Sequence, residues 1–174
     1  MITKKDKYFI LLSALVSFVL LFGFGRGSNA AESAAVAATV TAQSLSVGVS
    51  DSTVTYGTLS AGSTQNTLAG NLNDRQKATN DGNVAEDFNI KGINSTSAGI
   101  GWTLAATADT NQYFHQVSTN TGVGWTALTL NYQKIANTVG VGSTQWFDLQ
   151  LGTPSSTTDY LQQTVNVTVQ AVTD

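Results

Sequence analysis

Acid–base or nucleophilic chemistry in this chain would have to start from one histidine, His115, and from the adjacent carboxylates Glu86 and Asp87. A Ser or Thr activated by His115, with Asp109 orienting the ring, would complete a triad. No nucleophile-elbow motif accompanies it, and the local sequence places His115 in a surface loop. Glu86 and Asp87 are neighbours, so on a strand they point to opposite faces and cannot share a substrate. The expectation is a non-enzymatic chain without a cofactor. Hard-oxygen chemistry has more material: Asn71, Asn73, Asp74, Asn80, Asp81, Asn83, Glu86 and Asp87 fall close together, and calcium takes about six to eight oxygens. Asp74, Asp81, Glu86 and Asp87 are the candidate carboxylate ligands. The spacing matches no EF-hand loop, and Asn and Asp bonding to nearby backbone in turns accounts for the same residues. Aromatic rings offer sugar stacking. Trp102 is in phase with Leu104 and belongs to a core; Trp146 is out of phase with Phe147 and Leu149, and Trp125 follows Gly124 beside a turn. Trp125 and Trp146 are therefore the exposed ligand-binding candidates. Asn94-Ser95-Thr96 and Asn166-Val167-Thr168 match the glycosylation sequon.

The elements that must carry these residues are strands. From Thr164 to Val172, valine or alanine alternates with Thr, Asn or Gln, one face dry and the other wet. The same period recurs at Val36-Ala38-Val40-Ala42, Leu45-Val47-Val49, Val54-Tyr56, Trp102-Leu104-Ala106, Leu128-Leu130-Tyr132 and Phe147-Leu149-Leu151. Glycine-rich breaks at 120–124 and 140–144 and the sole proline, Pro154, read as turns. About seven to nine short strands with such punctuation predict an all-β, antiparallel, Ig-like β-sandwich. Asn80-Asp81-Gly82-Asn83 predicts a hairpin turn with Gly82 at positive φ. In the strand that follows, Val84, Phe88 and Ile90 put Glu86 on the core face. Either a bulge near Ala85 resets the register, or Glu86 is buried with a partner.

Residues 1–30 read as a signal peptide. Lys4, Lys5 and Lys7 precede an apolar helical run from Tyr8 to Phe24, and small residues at 28 and 30 fit cleavage after Ala30. An uncleaved membrane anchor is the competing reading. Residues 31–174 are then a single domain, within which 31–43 forms either the first strand or an exchangeable N-terminal strand. The chain has no cysteine, which excludes disulfides, thiolate metal sites and a Cys nucleophile. Charged residues are 11% of the 174, and 25 Thr with 16 Ser supply much of the polarity. Without residues 1–30 the formal charge is 4 − 10 = −6, which argues against nucleic acid as a partner. A secreted or cell-surface location is expected, with membrane contact only through the leader before cleavage.

Ala78-Thr79-Asn80-Asp81-Gly82-Asn83-Val84 through Ile90 resembles a segment of bacterial and archaeal surface Ig-like sandwiches, including camelysin/TasA-like matrix-fibre proteins. Ala98-Gly99-Ile100-Gly101-Trp102-Thr103-Leu104 is similar to the Trp-x-Leu element of WxL cell-surface proteins, and Phe147–Pro154 with Tyr160–Val169 looks like their final strand pair. Asn166-Val167-Thr168 stands where the second Trp-x-Leu of that family would fall. The lack of catalytic groups, the small, Ala/Val-rich and strand-prone segment Glu32 to Ser50, and sheet edges able to accept a strand favour a secreted structural protein of the cell surface or extracellular matrix that assembles with itself or other surface proteins by strand addition. The alternative is a secreted module that binds glycan or cell wall.

Overall fold

Ten strands succeed one another: β1 (Val47–Val49), β2 (Thr64–Asn66), β3 (Gln76–Asn80), β4 (Glu86–Lys91), β5 (Thr103–Leu104), β6 (Gln112–Ser118), β7 (Thr126–Ala127), β8 (Gln133–Val139), β9 (Thr144–Gly152) and β10 (Thr168–Thr173). This computed structural model describes residues 34–174, among which no helix forms. The leader expected at 1–30 lies outside them. Residues Thr41–Asp174 make one unit.

The strands form two sheets. One runs β1-β3-β9-β6-β5, with β2 added on β9 and β7 on β6; the other runs β10-β4-β8. All pairings are antiparallel except β5 with β6. The core follows the alternation of the sequence. Ala78, Phe147, Leu149 and Val117 from the first sheet meet Phe88, Ile90 and Val139 from the second, and Val167, Val169 and Ala171 pack against them. Each large side chain so buried contributes about 1.5–3 kcal/mol. The result is all-β and sandwich-like.

The expected hairpin at Asn80–Asn83 is instead a corner between sheets, since β3 pairs with β1 and β9 while β4 pairs with β10 and β8. The Asn80 side chain causes this. Its amide donates to the Val84 and Val139 carbonyls, and its Oδ1 accepts the Gly82 N–H at 2.8 Å. Asn80 is buried, so the turn is tied to β8 rather than free to close on itself. Gly82 is not at positive φ. Glycine is needed because a Cβ there would come within 2.2 Å of Glu86 Oε1 and 2.4 Å of the Ser44 carbonyl.

Of the two Glu86 alternatives the burial occurs, and no bulge near Ala85 resets the register, since Glu86 to Lys91 runs unbroken against β10. Glu86 is fully buried and its Oε1 accepts the Ser46 N–H at 2.8 Å, while Oε2 has no protein partner. The bulges lie on the facing strand. Between Glu86 and Phe88 β4 takes two steps while β8 takes three, from Val139 to Ala136; between Phe88 and Asn89 one step faces two. Thr138, at φ 48°, marks the first bulge and gives its N–H to Asp87. Twice-bulged, β8 is a poor template for a further strand on its free side.

Three expected strands do not form, Val54–Tyr56 among them. Residues 34–46 carry no strand, and Val36 and Val40 are 90% and 96% exposed. Leu128 is buried, but Leu130 and Tyr132 are exposed, and the ladder starts only at Gln133. There Thr129 and Asn131 bond each other locally, which turns the chain.

Candidate functional site

β1 and β10 are edge strands of the two sheets and approach each other. Each continues into an extended run, 51–59 after β1 and 160–167 before β10, and a cleft of about 960 Å³ opens between the runs. Phe147, Leu149 and Leu151 on β9 form its apolar floor, with Val167 and Val169 on one wall and Val54 on the other. Among the described residues, 53–59 make no backbone–backbone hydrogen bond, and neither do Val165, Asn166 and Val167. Each run exposes alternate side chains to solvent, as a strand does.

Polar groups shape the ends of this cleft. His115 is not in a loop: it sits on β6, 1% exposed, with Nε2 2.9 Å from the Tyr56 hydroxyl. Strand alternation puts Tyr113, His115 and Val117 on the inward face, which overrides the loop signals around them. Burial lowers the imidazole to about 4, so it is neutral, and its Nδ1 has no partner. Burial above all, with the charge of Asp74 adding, pushes the Tyr56 phenol above its ordinary range. No Ser or Thr hydroxyl bonds His115, and Asp109 bonds the Thr110 N–H instead, so the triad partners are not brought together.

Asp159 fastens the far end. Its Oδ2 accepts from Ser97 Oγ (2.6 Å), the Gly101 N–H (3.0 Å) and Gln163 Nε2 (3.0 Å), and its Oδ1 from the Leu161 N–H. These donors, Ser97 first, hold its carboxyl well below the usual carboxylate range. Trp102, expected in the core, is half-buried at this rim, its Nε1 donating to Thr157 Oγ1 at 3.0 Å. Two residues sequence reasoning passed over, Tyr56 as a partner and Asp159 as a clamp, carry most of this geometry. Two of the four donors to Asp159, Ser97 and Gly101, lie 62 and 58 residues away, so no local run announced the clamp.

The candidate calcium carboxylates are placed apart in function. Asp74 accepts from Gln76 Nε2, Asp81 is exposed at the corner, Glu86 is buried under Gly82, and Asp87 pairs with Lys134. Among the described residues no three metal-capable side chains converge. Trp125 is half-buried at a small pocket near Gln133 and Ile135, whereas Trp146 is 44% exposed on the outer face of β9, between the cations of Arg75 and Lys77. The two do not share a surface site. Asn94 and Asn166 are both exposed.

No family model, curated protein or solved structure matches the chain.

Proposed function

We propose that this chain is a secreted, non-enzymatic surface or extracellular-matrix protein with an Ig-like sandwich, whose copies join by strand addition. The observation that carries this reading is the open cleft flanked by two extended runs without ladder partners. Residues 34–41 are the natural occupant when supplied by a second copy. They are exposed, uncharged and free of strand, and they alternate small apolar residues with Ala or Thr. At about 3.3 Å per residue, the stretch 36–42 spans the same length as 53–59. Each ladder bond gained would contribute about 1 kcal/mol over the hydrated peptide it replaces, and Val36 and Val40 would be withdrawn from water onto the apolar floor.

The corner fixes where this segment begins. Asn83 Nδ2 donates to the Ala42 carbonyl and its Oδ1 accepts the Ser44 N–H, both at 2.8 Å. Removal of residues 31–40 therefore leaves the clamp intact. A chain beginning at Ala31 should form filaments in negative-stain images at high concentration. One beginning at Thr41 should melt at a similar temperature yet remain monomeric, and a peptide of residues 34–42 should compete with assembly. Filaments from the shortened chain, or a monomer from the longer one at every concentration, would overturn the reading.

A further inference from the structure

Outside the cleft, the outer face of β3 and β9 gathers a different chemistry. Lys77 stands opposite Trp146 in the ladder, and one step along the same face Thr79 stands opposite Thr144. The Lys77 ammonium lies 5.5 Å and the Arg75 guanidinium carbon 5.6 Å from the centre of the Trp146 ring. Only four cations occur in residues 34–174, against nine Asp and Glu side chains, and two of the four meet here. Lys77 has no carboxylate within ion-pair distance among the described residues. Arg75 is held from below by the buried Asp148, Nε to Oδ2 3.2 Å, and among the described residues no acceptor bonds its terminal nitrogens. A half-exposed indole framed by hydrogen-bond donors that the protein does not satisfy, on a flat strip that continues into two threonine hydroxyls, is complementary to a sugar carrying negative charge.

We propose that Trp146, Lys77 and Arg75 form a docking strip for an acidic polysaccharide, with a sugar carboxylate taken by the two cations and the ring of the same or the next sugar against the indole. None of these residues lines the cleft, so the proposal stands apart from strand addition. Trp125, on another pocket, takes no part.

Affinity electrophoresis of the full chain through gels containing polygalacturonate tests this, with neutral dextran and inorganic polyphosphate as comparison probes. Polygalacturonate should retard the protein and dextran should not, with retardation fading above about 0.15 M salt as charges are screened. Trp146→Leu and Lys77→Gln should each weaken retardation at least fivefold without moving the melting temperature, and Lys77→Arg should preserve it. Lys91→Gln, which removes an equal charge from the other sheet, and Trp125→Leu should stay within twofold. Failure of polygalacturonate to retard the protein overturns the proposal. So does equal weakening by Lys91→Gln, or polyphosphate retardation matching polygalacturonate and indifferent to Trp146→Leu; either marks simple charge attraction.

Discussion

At the residue scale, the buried His115–Tyr56 pair gives the protein a defined response to acid. The imidazole titrates near 4 in the folded chain against an ordinary 6.5, because burial disfavours its charged form. As pH falls through 6.5 the unfolded chain takes up a proton that the folded one refuses, so stability declines from there and levels off below about 4, by roughly 3 kcal/mol in all. Asp87, held low by Lys134 and the Thr138 N–H, and Asp159, held low by its four donors, have the opposite sign. Their contribution is complete above the ordinary 3.8 and is lost only below it. Urea denaturation at intervals between pH 7 and pH 4.5 should show the wild type losing stability while His115→Gln stays nearly level. Parallel slopes for the two proteins would remove His115 as the cause. The glutamate at 86 shows a different limit: its parity in the sequence announced the conflict, but the partner that accommodates it, the Ser46 N–H, lies 40 residues away. Long-range partners of this kind carry no local signal.

At the element scale, the final strand was the most legible part of the chain. Val165, Val167, Val169 and Ala171 were read as one apolar face, and the last three pack on the core while Thr168 and Gln170 are exposed. Val169→Asp should therefore cost about 2–3 kcal/mol, and Gln170→Asp within about 0.5 kcal/mol, in thermal or denaturant unfolding. Equal shifts would mean that the register opposite Ile90 is wrong. Period two was a poorer guide where it did not end in a ladder. Val36-Ala38-Val40-Ala42 and Val54-Tyr56 alternate as well as any strand, yet neither pairs among the described residues, because alternation prescribes two faces and says nothing of a neighbour. The opposite error befell β6 and β8, whose Gln, Asn and Lys residues hid two seven-residue strands. The corner at Asn80 was recognised as a turn, but its direction was set by a side-chain amide reaching β8, which turn composition cannot specify.

At the scale of the whole molecule, the open cleft should be visible without any assembly. Amides of residues 53–59 have no backbone partner among the described residues and should exchange with solvent within the fast phase of a hydrogen-exchange experiment, while those of β9, laddered on both sides over 150–152, should be among the slowest. In assembled material, protection should spread to 53–59 and to 34–41 together. Protection of one segment without the other would separate tail from cleft. The candidate site was less legible than the fold, since a cleft is a place where elements fail to meet, and a sequence encodes meetings. The distinction between the offering segment and the receiving cleft has a geometric corollary. Two copies related by a twofold axis would present like surface to like, whereas the proposed strand addition would engage unlike surfaces, and such contacts repeat around a ring or along an open helix according to the rotation between successive subunits. An open helix so built would have one empty cleft at one terminus and one unspent tail at the other, a molecular polarity that no symmetric dimer of this sandwich could possess.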